Sequence, residues 1–115
     1  GIGPFVVGPA VERKIGLSAM SELAINATEW RSAAWAKSKG LYAEVFDSIE
    51  AMDEAVEKLA VRLSNSNPEA MKDLKKIFWQ GTSHWDELLE ERAGISGRLV
   101  LSEFTRNAIS AFKSK

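Results

Sequence analysis

The sequence predicts a mainly α-helical protein of about six helices, with one short strand near residues 42–46. Apolar residues recur at helical spacing through most of the chain, most clearly between Ile49 and Leu63. Glycine and proline interrupt these patterns at positions that suit helix ends. Between Gly40 and Asp47, however, the residues are Leu-Tyr-Ala-Glu-Val-Phe, which favour extended backbone. A single strand among helices needs an explanation.

Size and composition narrow the possible functions. A chain of 115 residues is one domain or part of one, and it could bury roughly 65 % of its unfolded surface. The absence of cysteine excludes disulfides and thiolate metal sites, and a single histidine argues against a transition-metal site. A net charge of −1 gives no general attraction to nucleic acid or acidic membranes, and no apolar run approaches the ~20 residues of a membrane span. We expect a cytoplasmic protein that binds neither nucleic acid nor membranes.

The first nine residues are rich in glycine and proline, which predicts a loop rather than a regular helix. Phe5, Val6 and Val7 lie within it, and leaving these side chains in water would be costly. We therefore expect the loop to pack against this chain or another segment. The loop lacks the basic leader of a signal peptide and an initiating methionine, so a fragment of a longer protein is one interpretation.

Helical patterns follow this loop, each bounded by turn or capping residues. Thr28 is expected to cap the helix that ends at Gly40. Asp47 and Glu50 resemble a capping box at the start of the clearest helix. Farther along, an asparagine precedes a proline at the expected first helical position. The predicted helices span roughly 10–15, 18–26, 28–39, 48–63, 68–80, 85–92 and 98–112, the last two separated by a break over Ala93–Gly97.

No set of residues forms a self-sufficient catalytic site. His84 follows Ser83, but a serine cap and a first helical turn explain this pair more simply than a catalytic histidine without an oriented nucleophile. Acidic pairs one turn apart could resemble a carboxylate dyad, although the solvated face of an amphipathic helix is the preferred interpretation. These pairs are Glu50/Glu54, Asp53/Glu57, Asp86/Glu90 and Glu87/Glu91.

Lysines and tryptophans offer two further candidates. A phosphate could be attracted by three lysines, but no glycine-rich phosphate loop is present, and the wet face of a helix is preferred. Four tryptophans is a high number, and each contributes strongly to a core or an interface. Trp30 and Trp35 are five residues apart and cannot share one narrow helix face, which suggests association, although a core position for both stays open. The lysines are Lys72, Lys75 and Lys76, and the other tryptophans are Trp79 and Trp85.

The order of several segments resembles the C-terminal part of the enoyl-CoA hydratase/isomerase (crotonase) family over nearly the whole chain. The best match is Trp35–Phe46, which looks like the family's alanine, glycine-leucine and following strand. A second match is Gly8–Gly16, where the family has glycine-glycine-threonine-glutamine-arginine followed by valine-glycine. Of this pattern the chain keeps Arg13, Ile15 and Gly16. Near the end, a closing phenylalanine motif is matched by the residues Phe104, Phe112 and Lys113, while its Glu-Lys-Arg centre is not matched.

The resemblance implies that two regions of the chain have different roles. Residues 1–47 would form the end of the family's spiral core and residues 48–115 its helical assembly region. The oxyanion-hole amides and catalytic carboxylates of the family lie upstream of the segment that Gly1 begins, so no catalytic role falls on this chain, including Glu12 and Glu44. The complete protein would act on acyl-CoA thioesters by enolate stabilisation and proton transfer.

The resemblance also implies a homo-oligomer, a trimer or hexamer in the family, and coenzyme A thioester as a substrate rather than a bound cofactor. Phe104 could instead pack in the core, and Lys113 could instead lie at an exposed chain end, without contacting CoA. A different class of function also fits the helices and tryptophans, namely an independent helical interaction module that does not bind CoA. The implied substrate-binding residues are Phe5, Val6, Val7, Gly8, Phe104 and Lys113.

Overall fold

The computed structural model describes residues 1–113, and within them it contains six α-helices and no β-strand. The mainly helical fold class is therefore confirmed, whereas the predicted strand is not present in this part of the chain. The helices are α1 (Gly8–Ile25), α2 (Ala33–Ser38), α3 (Ile49–Ser64), α4 (Pro68–Phe78), α5 (Trp85–Val100) and α6 (Glu103–Lys113).

Two helical segments meet at Gly16 to form α1. Gly16 has φ 79° and ψ 161°, a backbone conformation that is essentially reserved for glycine, so the helix axis breaks there. This confirms the predicted separation of a short first helix from a second one. The N-terminal loop is shorter than predicted, because α1 already begins at Gly8. Pro9 is tolerated in its first turn, where the missing N–H has no intrahelical acceptor in any case.

The helix expected from Thr28 begins later, at Ala33. Ser32 provides the cap, since its hydroxyl accepts a hydrogen bond from the Trp35 N–H at 3.1 Å. Thr28 instead lies in a turn, and the prediction that it caps a helix is wrong. Gly40 ends this region at φ 79°, as predicted for a left-handed residue after a helix.

Residues 41–47 do not form the predicted strand. The N–H groups of Leu41 and Tyr42 both donate to the Ala36 carbonyl, at 2.9 and 3.3 Å, and so complete the end of α2. Beyond them, the main chain of residues 43–47 makes no hydrogen bond to any part of residues 1–113. A strand is stabilised by the ladder with its neighbour, and the described residues offer no neighbour.

The caps of α3 and α4 differ in how well the sequence predicts them. Ser48 caps α3, with its hydroxyl accepting from the Ala51 N–H at 3.1 Å, so the predicted Asp47–Glu50 capping box is wrong by one residue. Asn67 caps α4 as predicted. Its side-chain oxygen accepts from two successive N–H groups at 2.9 and 3.3 Å, with proline at the first helical position.

The predicted break over 93–97 is wrong, because α5 runs without interruption to Val100. Gly94 and Gly97 lie inside the helix, and the space beside each is open. The break comes at Leu101–Ser102, where the Ser102 hydroxyl accepts from the Thr105 N–H at 3.2 Å and starts α6. Ser83 is likewise not a cap, since α5 begins without a side-chain cap.

Burial is small for a chain of this length. The radius of gyration is 18.7 Å, whereas a compact domain of this size would have about 13 Å. The accessible surface is 9420 Å², against roughly 6,200 Å² expected for a compact protein of this mass. Neither Ile49–Ser64 nor Pro68–Phe78 contains a buried residue, although both helices are amphipathic. The buried residues of the described chain are Gly8, Ala19, Met20, Ala36 and Thr105.

The kink in α1 predicts that alanine substitution changes the free energy of unfolding in opposite directions at Gly16 and Gly94. Gly16→Ala is expected to lower the free energy of unfolding by about 1–3 kcal/mol, because alanine strains at this φ and ψ. Gly94→Ala is expected to raise it by about 0.5–1 kcal/mol, because alanine is the better residue within a helix and the site is open. Urea denaturation followed by circular dichroism measures both changes. Equal effects at the two positions would contradict the assigned kink.

Candidate functional site

A cleft of about 630 Å³ lies between α1 and α5 and is the first candidate site. This α1–α5 cleft has an apolar wall that includes Phe5, Met20 and Trp85. Its polar groups are the Glu12 carboxylate, the Arg13 and Arg92 guanidinium groups and the His84 imidazole. The volume falls within the roughly 300–1,000 Å³ of typical ligand pockets, and mixed lining of this kind suits an amphipathic ligand with an anionic group.

Arg13 fixes the geometry of this region by joining α1 to the end of α4. Its Nη2 atom donates to the Phe78 carbonyl at 2.6 Å and to the Gln80 carbonyl at 2.8 Å. These carbonyls lie at the C-terminal end of α4, where the helix dipole is negative and a guanidinium is favourable. Nearby, the Trp79 and Trp85 rings meet edge to face, with centroids 5.7 Å apart. These contacts tie α1, α4 and the start of α5 together.

The structure brings only some of the predicted substrate-binding residues together. Phe5 and Gly8 line the α1–α5 cleft. Val6 and Val7 do not line it and are 45 % and 54 % exposed. Of the four N-terminal residues predicted to bind substrate, two therefore lie in the cleft and two lie at the surface.

The two predicted positions on α6 lie outside the lining of this cleft. Phe104 is 73 % exposed, and Lys113 is exposed at the end of the helix. The start of the chain runs beside α6, since a side chain at Gly1 would meet the Thr105 hydroxyl and the Phe104 ring. Simple core packing of Phe104 does not occur within residues 1–113, and its ring is free to contact another molecule.

Sequence reasoning missed two features of this site. Nothing in the sequence distinguishes Arg92 from the other charged residues on the solvated face of an acidic helix. The bonds of Arg13 go to carbonyls more than 60 residues away, and such bonds leave no local sequence pattern. His84 lines the cleft, so its position supports a role in binding more directly than its neighbours in sequence suggested.

A second groove of about 740 Å³ lies between residues 41–48 and α3. We call it the α3 groove. One side consists of the segment that follows Gly40, and the other is the apolar side of α3, including Met52, Val56 and Leu59. Its lining is predominantly apolar, and its two charged residues, Glu44 and Asp47, are both acidic.

The remaining charged candidates lie on exposed helix faces. Lys58 pairs with Glu54 at 2.5 Å and Lys76 with Asp73 at 3.0 Å, both within their own helices. Within residues 1–113, no three histidine, aspartate or glutamate side chains come close enough together to hold a metal ion. None of the helices in this part of the chain is both long and apolar enough to cross a lipid bilayer.

Trp30 is the most exposed tryptophan, at 98 %, and lies in the turn before α2. Trp35 is half-buried, and the Lys39 ammonium lies 6.0 Å from its ring centroid, at the limit of a cation–π contact. Trp30 lies before α2, so the expected placement of both tryptophans on one helix is wrong, and both border one groove. Arg31 holds the intervening turn through ion pairs with Glu22 at 2.9 Å and Glu29 at 3.2 Å.

Comparisons of this chain with family models, with curated proteins and with solved structures found no match. Function is therefore inferred from the residues and from their arrangement.

The tie made by Arg13 generates a testable prediction. Arg13→Met removes both hydrogen bonds while keeping a long side chain, and we expect the free energy of unfolding to fall by about 1–2 kcal/mol. Lys14→Met is the matched control, because it removes one positive charge at the next position without breaking a side-chain hydrogen bond. Urea denaturation with tryptophan fluorescence as the probe measures both. A loss of similar size in the two variants would show that charge, rather than the tie, is responsible.

Proposed function

We propose that this chain is the helical assembly segment of an acyl-CoA protein of the enoyl-CoA hydratase/isomerase (crotonase) family. In this proposal it contributes to oligomer formation and supplies part of the acyl-CoA pocket. The family assignment is supported by the order and spacing of the segments Gly8–Gly16, Trp35–Phe46 and Phe104–Lys113. The assembly role is supported by the surface that the helices leave uncovered.

That uncovered surface is the observation that carries the proposal. Ile49, Val56 and Leu59 lie on the apolar face of α3, yet they are 70 %, 58 % and 52 % exposed. The whole chain exposes roughly 3,000 Å² more than a compact protein of its mass would. Obligate interfaces bury about 2,000–5,000 Å² in total, so the excess is of the size that permanent association removes. Helices of this kind are stabilised mainly by packing of the apolar face.

The α1–α5 cleft is the proposed contribution to the acyl-CoA pocket. Phe5, Met20 and Trp85 would contact the apolar acyl chain. Arg92 has no ion-pair partner within residues 1–113 and would attract an anionic group of CoA. Arg13 is already engaged with two carbonyls and would act by holding α4 in place.

The chemistry of the complete protein would be performed by groups outside these residues. In the family that the sequence resembles, backbone N–H groups stabilise a thioester enolate and carboxylates transfer protons. Phe104 and Lys113 on α6 would reach CoA from a neighbouring subunit, which agrees with their exposure outside the cleft. This chain alone is therefore expected to bind without catalysing hydration or isomerisation.

A pair of valines tests the assembly role. The wild-type chain is expected to self-associate, because its apolar helix faces are uncovered. Val56→Glu on the apolar face of α3 should shift it to the monomer, since a carboxylate cannot be buried unpaired in an interface. Val61→Glu is the matched control, with 51 % exposure against 58 % for Val56 and a position about 140° away around the helix. Sedimentation equilibrium gives the state of each, and a wild-type chain that stays monomeric at high concentration would contradict the role.

Ligand addition tests the pocket. Butyryl-CoA is expected to raise the melting temperature and change tryptophan fluorescence, because a ligand that binds only the folded state stabilises it. Phe5→Ala should weaken this binding by about tenfold, equivalent to about 1.4 kcal/mol. Phe78→Ala is the control, since this ring is 66 % exposed and does not line the cleft.

An independent helical interaction module is the alternative function. It is favoured by one observation, that only two of the six predicted substrate-binding residues line the cleft. Under this alternative, the uncovered faces bind a protein partner and the α1–α5 cleft has no affinity for CoA. Self-association or partner binding without any response to butyryl-CoA would support it over the acyl-CoA proposal.

A further inference from the structure

We propose that residues 43–47 form a docking edge for a β-strand of a partner polypeptide, and that the side chains of this strand fill the α3 groove. The inference deepens the proposed assembly role and rests on it, because it names the kind of partner that covers one uncovered face. It starts from a disagreement. The sequence favours a strand at Tyr42–Phe46, whereas the described residues contain no strand.

The main chain of this segment is available for pairing. Within residues 1–113, the N–H and C=O groups of residues 43–47 make no hydrogen bond, although the flanking residues do. On one side Leu41 and Tyr42 are bound to the Ala36 carbonyl, and on the other Ser48 accepts from the Ala51 and Met52 N–H groups. The open edge is thus held at both ends by helices. An open row of main-chain donors and acceptors is what strand addition uses.

The adjacent groove indicates what the added strand should carry. The α3 groove has a volume of about 740 Å³ and is lined mainly by apolar side chains such as Met52, Val56 and Leu59. Alternate residues of an extended strand point to the same side, so every second residue of the partner should be apolar. The two charged residues of the α3 groove, Glu44 and Asp47, are both acidic, which favours a partner strand with basic residues at its ends.

A strand explains the open backbone better than a helix or a second copy does. A helix would fill the groove, but its own main chain is already paired internally and could not bond to residues 43–47. Pairing of this segment with the same segment of a second copy would bring Glu44 and Asp47 toward their own equivalents, which is unfavourable. The occupant is therefore an extended strand with an apolar face and basic ends.

The probe is a six-residue peptide with a lysine at each end and alternating valine and threonine between, added to the full chain. Hydrogen exchange followed by NMR should show new protection in alternate amides between Ala43 and Phe46, because an edge strand bonds through every second residue. The same peptide with N-methyl groups on alternate residues is the control for the ligand. It keeps the side chains but removes the main-chain donors, so it should bind at least about tenfold more weakly.

Two proline substitutions control for the protein side. Glu44→Pro and Val45→Pro remove N–H groups that have no partner within residues 1–113, so neither breaks a hydrogen bond of the described chain. The amides of adjacent residues in an extended segment face opposite sides, so one of these two faces the partner and its loss should weaken peptide binding about tenfold. Val45→Thr keeps the N–H and should bind within about threefold of wild type.

Three results would overturn the proposal. One is the absence of alternate protection at any peptide concentration, and another is equal binding of the N-methylated peptide. The third is protection of these amides that rises with protein concentration without peptide, which would make a second copy the occupant. Any of these results together with intact self-association and butyryl-CoA binding would remove the strand site and leave the proposed function standing.

Discussion

The limiting constraint on this molecule is the amount of apolar surface that its own residues cover. Helices in water are marginal unless an amphipathic face packs against something. In α3 and α4 that face exists, and within residues 49–78 it is almost wholly open. The only buried apolar side chains of the described chain are Ala19, Met20 and Ala36. The helices therefore keep their positions through caps and a few long-range contacts rather than through a core.

The side-chain hydrogen bonds that join the most distant parts of the sequence run from α1 to the end of α4. The kink at Gly16 lets the two parts of α1 point in different directions, and Arg13 lies in the first part. From there its guanidinium reaches the carbonyls that end α4. The Trp79–Trp85 pair spans the turn between α4 and α5. This arrangement creates the α1–α5 cleft, since it holds two helices beside each other without filling the space between them.

Local chemistry explains which parts of the fold the sequence predicts. Asn67 before a proline and Gly40 after a helix act within one turn of their own positions, so their effects are visible in the sequence. Where two capping residues compete, as Asp47 and Ser48 do, the choice depends on register within one residue. Gly94 and Gly97 suggested a break that neighbouring helix formers override. The bonds of Arg13 could not be predicted, because they join residues more than 60 positions apart.

The strand prediction failed for a different reason. Helical residues find their hydrogen-bond partners four positions away, whereas a strand needs a partner whose position the sequence does not specify. Residues 41–46 retain the composition of a strand, and the main chain of residues 43–47 stays unbonded within the described chain. The strand-like composition therefore indicates that the segment suits pairing with another strand, and it does not show that a strand forms within residues 1–113.

The α1–α5 cleft and the α3 groove share no lining residue. A ligand in the first and a partner strand in the second would therefore not compete for the same side chains, and substitutions in one leave the lining of the other unchanged. Covering α3 would add the apolar packing that this helix lacks.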